Sequence, residues 1–216
     1  MQKKQLVARI VESFIIFPIV TMPVSFANLP QTGVSIVSTI EAVSSQKQNI
    51  ESNVLLALNK VSKAIDEADL ALEAKANAIN TYFTEREMPL EGMGMKMVLE
   101  AEKNNIDWRL LPAIAVREST GGKFACKKAT YNSFGWGSCK IGFDSNEHAI
   151  EIVAKNLGGN NPNTAKHYDD KTTLQILRAY NPPSVVPRYA EQVIAIMSVI
   201  GPTEIVVNDK EVAFNQ

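Results

Sequence analysis

Between Gly33 and Pro89 the chain contains neither glycine nor proline, the two residues that most readily interrupt a helix. Apolar residues recur through this stretch at steps of three and four: Ile36, Ile40, Val43, Ile50, Val54, Leu58, Val61, Ile65, Ala68, Leu72, Ala76, Ile79 and Phe83. This spacing predicts an amphipathic helix across residues 28–87. A single helix of that length would extend ~80 Å, so its apolar stripe needs a partner to cover it.

Three partners remain open at this point. The helix can pack on another chain, dock on the rest of its own chain, or fold back on itself as a hairpin at the polar stretch 44–49. The stripe drifts from a strict heptad, which argues against a regular two-stranded coiled coil over its full length. Coiled-coil self-association or a partner helix through residues 36–83 is therefore one expectation, and docking on the following domain is the other.

Residues 1–27 have the features of an export signal. Three basic residues precede an apolar stretch over residues 14–24, and small residues lead up to Ala27. The alternative is a retained membrane anchor, but the apolar run is about half of the ~20 residues that a span needs, and Pro18 and Pro23 interrupt it. We predict a signal peptide cleaved after Ala27 and an extracytoplasmic protein, secreted or associated with the cell envelope.

Charge and cysteine content limit the remaining possibilities. The net charge of −1 lacks the basic excess of a nucleic-acid-binding protein, so no nucleic-acid partner is expected. Cys126 and Cys139 supply too few ligands for a structural zinc site. In an oxidising compartment they predict a disulfide, worth ~3 kcal/mol by loop entropy. No pattern of residues indicates a metal or another cofactor.

Residues 88–202 predict a mainly α domain. Periodicity and end signals place helices at about 92–103, 108–119, 144–158, 172–180 and 187–200, with Asp107 capping the second and Asp144 forming a capping box with Glu147 in the third. Residues 124–143 lack a helical period and predict an irregular or small β insertion. Residues 203–216 form a C-terminal tail, either a short hairpin or disordered.

One acidic residue lies on the apolar face of the predicted helix 108–119. Glu118 follows Leu111 and Ile114 at helical spacing and sits in the last turn. Burial and the negative end of the helix dipole both disfavour the ionised carboxylate, so the protonated acid is favoured. Such a group can protonate the leaving oxygen of a glycoside. The alternatives are an ion pair with Arg117 or Lys123, or exposure at a frayed end.

Three motifs resemble one superfamily. Leu111–Ser119 reads LPAIAVRES, residues 132–137 read NSFGWG and residues 179–182 read AYNP. In this order they resemble the catalytic domain of soluble lytic transglycosylases, goose-type lysozymes and bacterial endo-β-N-acetylglucosaminidases, over about residues 89–201. The resemblance implies a lysozyme-like fold and cleavage of the peptidoglycan glycan strand.

The resemblance also implies a site. Its catalytic acid would be Glu118, and the expected substrate-binding residues are Ser119, Asn132, Phe134, Gly135, Trp136, Tyr180 and Asn181. Tyr189 and Val193 fit the helix that follows these motifs. The chain departs from the family pattern at Gly121–Gly122, in Phe134–Gly137 and at Pro182–Pro183, which leaves the product chemistry and the sugar subsites open.

Aromatic and acidic residues refine the expectation. Trp136, flanked by glycines, is expected to stack on sugar, whereas Phe134 either stacks on sugar or packs around the disulfide. The capping box accounts for Asp144 and Glu147, so no second catalytic carboxylate is evident. This favours a lytic transglycosylase and leaves a hydrolase open. A non-catalytic wall-binding or scaffold protein is the rival from another class.

Overall fold

The computed structural model describes the backbone of residues 36–204 and the side chains of residues 46–204. The predicted signal peptide, with its cleavage after Ala27, and the tail beyond residue 204 lie outside the described residues. The chain divides into two compact units, Met1–Asn53 and Val54–Gln216. No helix within the described residues has the length and apolar character that crossing a membrane requires.

The glycine-free stretch forms one helix, α1, over Ile36–Thr84, and not a hairpin. In the first unit, Lys47 and Glu51 face each other one turn apart at 3.9 Å. In the second unit, the side chains of residues 54–69 are exposed, and those from Leu70 onwards become progressively buried. Ala76, Ile79 and Phe83 belong to the core of the domain, so the last turns of α1 dock on it.

The second unit contains six further helices, and the described residues form no strand. They are α2 (Gly94–Lys103), α3 (Leu110–Ser119), α4 (Asn146–Leu157), α5 (Ala165–Tyr168), α6 (Thr173–Tyr180) and α7 (Tyr189–Ile200). The predicted mainly α class is therefore confirmed. The insertion over residues 124–143 is irregular, with one short 3-10 turn at Trp136–Cys139.

Three helix boundaries differ from expectation. Asp107 does not cap α3 directly: its carboxylate accepts from the backbone N–H of Arg109, and α3 begins after that turn, at Leu110. The N-cap of α4 is Ser145 and not Asp144, because the Ser145 hydroxyl accepts from the backbone of His148. The polar loop before α6 includes the single turn α5.

Helix α3 is the central element of the domain. Its apolar residues are inaccessible to solvent, and it packs most extensively against α7, with α2 and α4 on other sides. The start of α3 is tied to the segment after α7: Trp108 Nε1 donates to the Thr203 carbonyl at 2.9 Å, and Arg109 Nη1 donates to the Gly201 carbonyl at 3.0 Å. These bonds hold α7 alongside α3, which brings the last turn of α3 beside the first turn of α7.

Candidate active site

The last turn of α3 presents Glu118 at the domain surface, half-buried. The helix ends at once, because Thr120 adopts a left-handed conformation and Gly121 and Gly122 continue with positive φ. At Gly121 a side chain would collide with Met88, since an added Cβ would lie 2.7 Å from the Met88 sulfur. The paired glycines therefore turn the chain sharply and let the insertion return across the end of α3.

Ser119 joins the insertion to this helix end. Its hydroxyl donates to the Ser133 carbonyl at 2.6 Å and accepts from the Gly122 N–H at 2.9 Å. The side chain is buried and does not line the cleft. Its role in the structure is to place the residues after Ser133 next to Glu118.

Gly135 lies against the Glu118 carboxylate. A Cβ added to Gly135 would lie 2.7 Å from Glu118 Oε2, and its φ of +64° is in the left-handed region. Both facts favour glycine at this position. The close approach confines one side of the carboxyl group.

Tyr189, in the first turn of α7, confines the other oxygen. Its hydroxyl donates to Glu118 Oε1 at 2.6 Å. Burial first, and then the charge of Glu118 and this hydrogen bond, raise the pKa of Tyr189 far above its ordinary value. The phenol therefore remains a hydrogen-bond donor to Glu118 at every pH at which the protein is folded.

An aromatic wall extends from this pair. Tyr180 stacks on Tyr189 at 6.0 Å between ring centroids, and Trp136 lies 5.7 Å from Tyr180 and 6.4 Å from Tyr168. The Tyr180 hydroxyl donates to the backbone carbonyl of Phe134, which joins α6 to the insertion. Burial, followed by the charge of Glu118, also raises the pKa of Tyr180, so this donor stays protonated.

These groups line an open cleft of about 640 Å³. Of the predicted site residues, those that line it are Glu118, Gly135, Trp136, Tyr180 and Asn181. Further lining residues are Gly137, Ser138, Cys139, Thr164, His167, Tyr168, Pro182 and Val185. Among these described residues Glu118 is the one carboxylate.

Two predicted substrate-binding residues lie elsewhere. Phe134 is 1% exposed and packs in the core, so its ring does not face the cleft. Asn132 is fully buried and organises the insertion: its amide donates to the Trp136 and Ile141 carbonyls, at 2.9 and 2.8 Å, and its Oδ1 accepts from the Trp136 N–H. In the described structure, both side chains support the cleft wall from behind.

The ion-pair alternatives for Glu118 are not formed. Arg117 directs its Nε to Gln192 at 2.9 Å, and Lys123 donates to the Arg86 carbonyl at 2.8 Å. Within residues 46–204, Glu118 has no basic partner in an ion pair. Its carboxyl group is free to face the cleft.

The predicted disulfide between Cys126 and Cys139 is confirmed, with Cα atoms 5.5 Å apart. It closes the insertion directly behind Trp136, and Cys139 itself lines the cleft. The described residues contain no cluster of three or more His, Cys, Asp or Glu side chains that would hold a metal ion.

Sequence reasoning missed part of the cleft. Tyr168 and His167 come from the polar segment before α6, where no apolar period marks them, and they reach the cleft only because α5 turns the chain back. Tyr189 was placed in the motif order but not beside Glu118. An acid and a tyrosine 71 positions apart share no local sequence signal, so the packing of α3 on α7 was needed to pair them.

The chain was also compared with known proteins. No protein-family model matches the chain, and a search of curated proteins gives no significant match. The three motifs and the geometry of the cleft therefore carry the functional argument.

Proposed function

We propose that this protein cleaves β-1,4 glycosidic bonds in peptidoglycan glycan strands, with Glu118 as general acid and then base, in a lysozyme-like domain. The observation that carries the proposal is the half-buried carboxyl group of Glu118, which faces an open cleft while Tyr189 and Gly135 fix its two oxygens. A positioned carboxylic acid next to a leaving oxygen is what glycoside cleavage requires.

The wall of the cleft suits a sugar. Trp136, Tyr168 and Tyr180 offer ring faces or edges, on which the apolar faces of pyranose rings pack. Asn181 adds an amide where the hydroxyl and acetamido groups of amino sugars need hydrogen-bond partners. The disulfide is compatible with an extracytoplasmic location, where the glycan strand is found.

The chemistry follows from a single carboxyl group. Protonated Glu118 donates its proton to the leaving oxygen as the C1–O bond breaks, and the resulting carboxylate then takes a proton from the attacking hydroxyl. In a lytic transglycosylase that hydroxyl belongs to the muramic acid itself, which gives an anhydro end. Because Glu118 is the one carboxylate among the described lining residues, the transglycosylase is favoured over a hydrolase.

The decisive experiment incubates purified peptidoglycan with wild-type protein, with Glu118→Gln and with Glu191→Gln. Glu191 is an exposed acid of α7 outside the cleft, so its variant controls for loss of one negative charge. Mass spectrometry is expected to find fragments with anhydro-muramic acid ends from wild type and Glu191→Gln, and none from Glu118→Gln. Reducing ends would instead identify a hydrolase.

The contrary result is equally clear. If neither the wild type nor Glu118→Gln releases fragments while both still bind the sacculus, the catalytic proposal is wrong and the domain is a glycan-binding or scaffold module.

Tyr189 is expected to act as a positioning residue. Tyr189→Phe keeps the ring stacked on Tyr180 but removes the bond to Glu118. Loss of one hydrogen bond to a charged group, ~1.5 kcal/mol, should lower kcat about tenfold and leave KM nearly unchanged. A parallel rise in KM would show that Tyr189 contacts the substrate instead.

A further inference from the structure

One apolar surface of the domain has no cover. Over residues 54–72 the stripe of α1 consists of Val54, Leu58, Val61, Ile65, Ala68 and Leu72. The steps between them are four, three, four, three and four, which is a strict heptad with these residues at the a and d positions. The drift noted over the whole stripe therefore falls outside this segment. Leu58 is 60% and Val61 57% exposed, so the seam is apolar and open.

The charges on the same segment are unevenly distributed. Residues 54–64 carry two lysines and no acid, whereas residues 65–74 carry four acids and no base. Placed beside a parallel copy in register, the acidic half would lie next to an identical acidic half. Placed beside an antiparallel copy, each acidic half lies next to a basic half, and the charge pattern becomes self-complementary.

The flank of the seam favours the same arrangement. Ala57, Ala64 and Ala71 recur every seven residues at the g positions. In an antiparallel pair, g positions face g positions, so alanine meets alanine and the helix axes can approach closely.

We propose that α1 forms an antiparallel pair with α1 of a second copy of this chain, centred near residue 63. Val61 then packs against Ile65 of the other copy, and Leu58 against Ala68. The pair has the two-fold symmetry of most homodimers. It is independent of the cleft, because Glu118 and the aromatic wall lie on other elements of the domain.

Sedimentation velocity tests the association. We expect a wild-type monomer–dimer equilibrium on the order of micromolar. Leu58→Gln should weaken it at least tenfold. Leu56→Gln is the matched control: Leu56 is 56% exposed but occupies an f position, away from the seam, so its dimer should persist. Far-ultraviolet circular dichroism verifies that each variant keeps its helix. A wild-type protein that stays monomeric, or equal effects of the two variants, would overturn the proposal.

Spin labels test the orientation. Asn77→Cys places one label at an exposed, uncharged position, with the native cysteines held in their disulfide. In the antiparallel pair the two labels are separated by about 28 residues of helix, roughly 42 Å along the axis. In a parallel pair they sit at the same level, about 20 Å apart across the two helices. A distance near 20 Å would show a parallel coiled coil and contradict the antiparallel arrangement.

Discussion

The two ends of one apolar stripe behave in opposite ways. Near Leu58 the side chains of α1 are more than half exposed, whereas Ile79 and Phe83, on the same stripe of the same helix, are fully buried in the domain core. The spacing of apolar residues is alike at both ends. Periodicity therefore identifies the face that must be covered, but the identity of the cover comes from elsewhere in the fold.

The largest expected difference is in stability. Phe83→Ala should lower the free energy of unfolding by about 3–5 kcal/mol, because it leaves a cavity in the core. Leu58→Ala should change it by roughly 0.5 kcal/mol or less when measured on the monomer, since its side chain is exposed there. Urea unfolding of both variants at low protein concentration measures the contrast, with Phe83→Leu as a milder variant if alanine prevents folding. Equal losses would mean that the two ends do not differ as described.

A smaller effect sharpens the comparison at the buried end. Gly94, which begins α2, touches α1 so closely that an added Cβ would lie 2.3 Å from the Ala76 carbonyl. Gly94→Ala must push the helices apart and should cost about 1–3 kcal/mol. Leu99→Ala, on the exposed side of the same helix, is the control and should cost less. Calorimetric melting of the two variants compares them, and a neutral Gly94→Ala would show that α2 can move away freely.

The smallest effect lies where α1 enters the domain. Lys75 pairs with Glu102 of α2 at 3.2 Å, with both side chains partly exposed. Lys75→Gln should cost about 0.2–1 kcal/mol, and the cost should shrink in high salt because the pair is screened. Urea unfolding at low and high ionic strength measures it. A salt-independent loss would point to the packing of the Lys75 stem, and not its charge, as the stabilising contribution.

The fold class was predictable because it depends on local signals. Helix ends at Lys103, Ser119 and Ile200 match glycine or polar signals in the sequence, and the uninterrupted α1 follows from the absence of helix breakers. The start of α3 was missed by two residues, because the pairing of Asp107 with Arg109 forms a separate turn before the helix. That competition between a cap and a side-chain pair depends on three-dimensional placement.

The candidate site divides in the same way. Glu118, Trp136 and Tyr180 were identified from motifs and line one cleft. Phe134 stands beside two of them in sequence, yet its ring turns into the core and only its carbonyl meets Tyr180. An aromatic residue in an irregular loop has no period to show which way it points, so the side that it faces could not be derived before the fold was known.

The pairing of α3 with α7 has a consequence for biosynthesis. Glu118 and Tyr189 are 71 positions apart, and the bonds from Trp108 and Arg109 reach residues 92 to 95 positions further along. A chain leaving the ribosome has no complete cleft until about residue 203 has emerged, since contacts of such sequence separation form only when both partners are present. The activity that we propose is thus withheld from the nascent chain by topology alone.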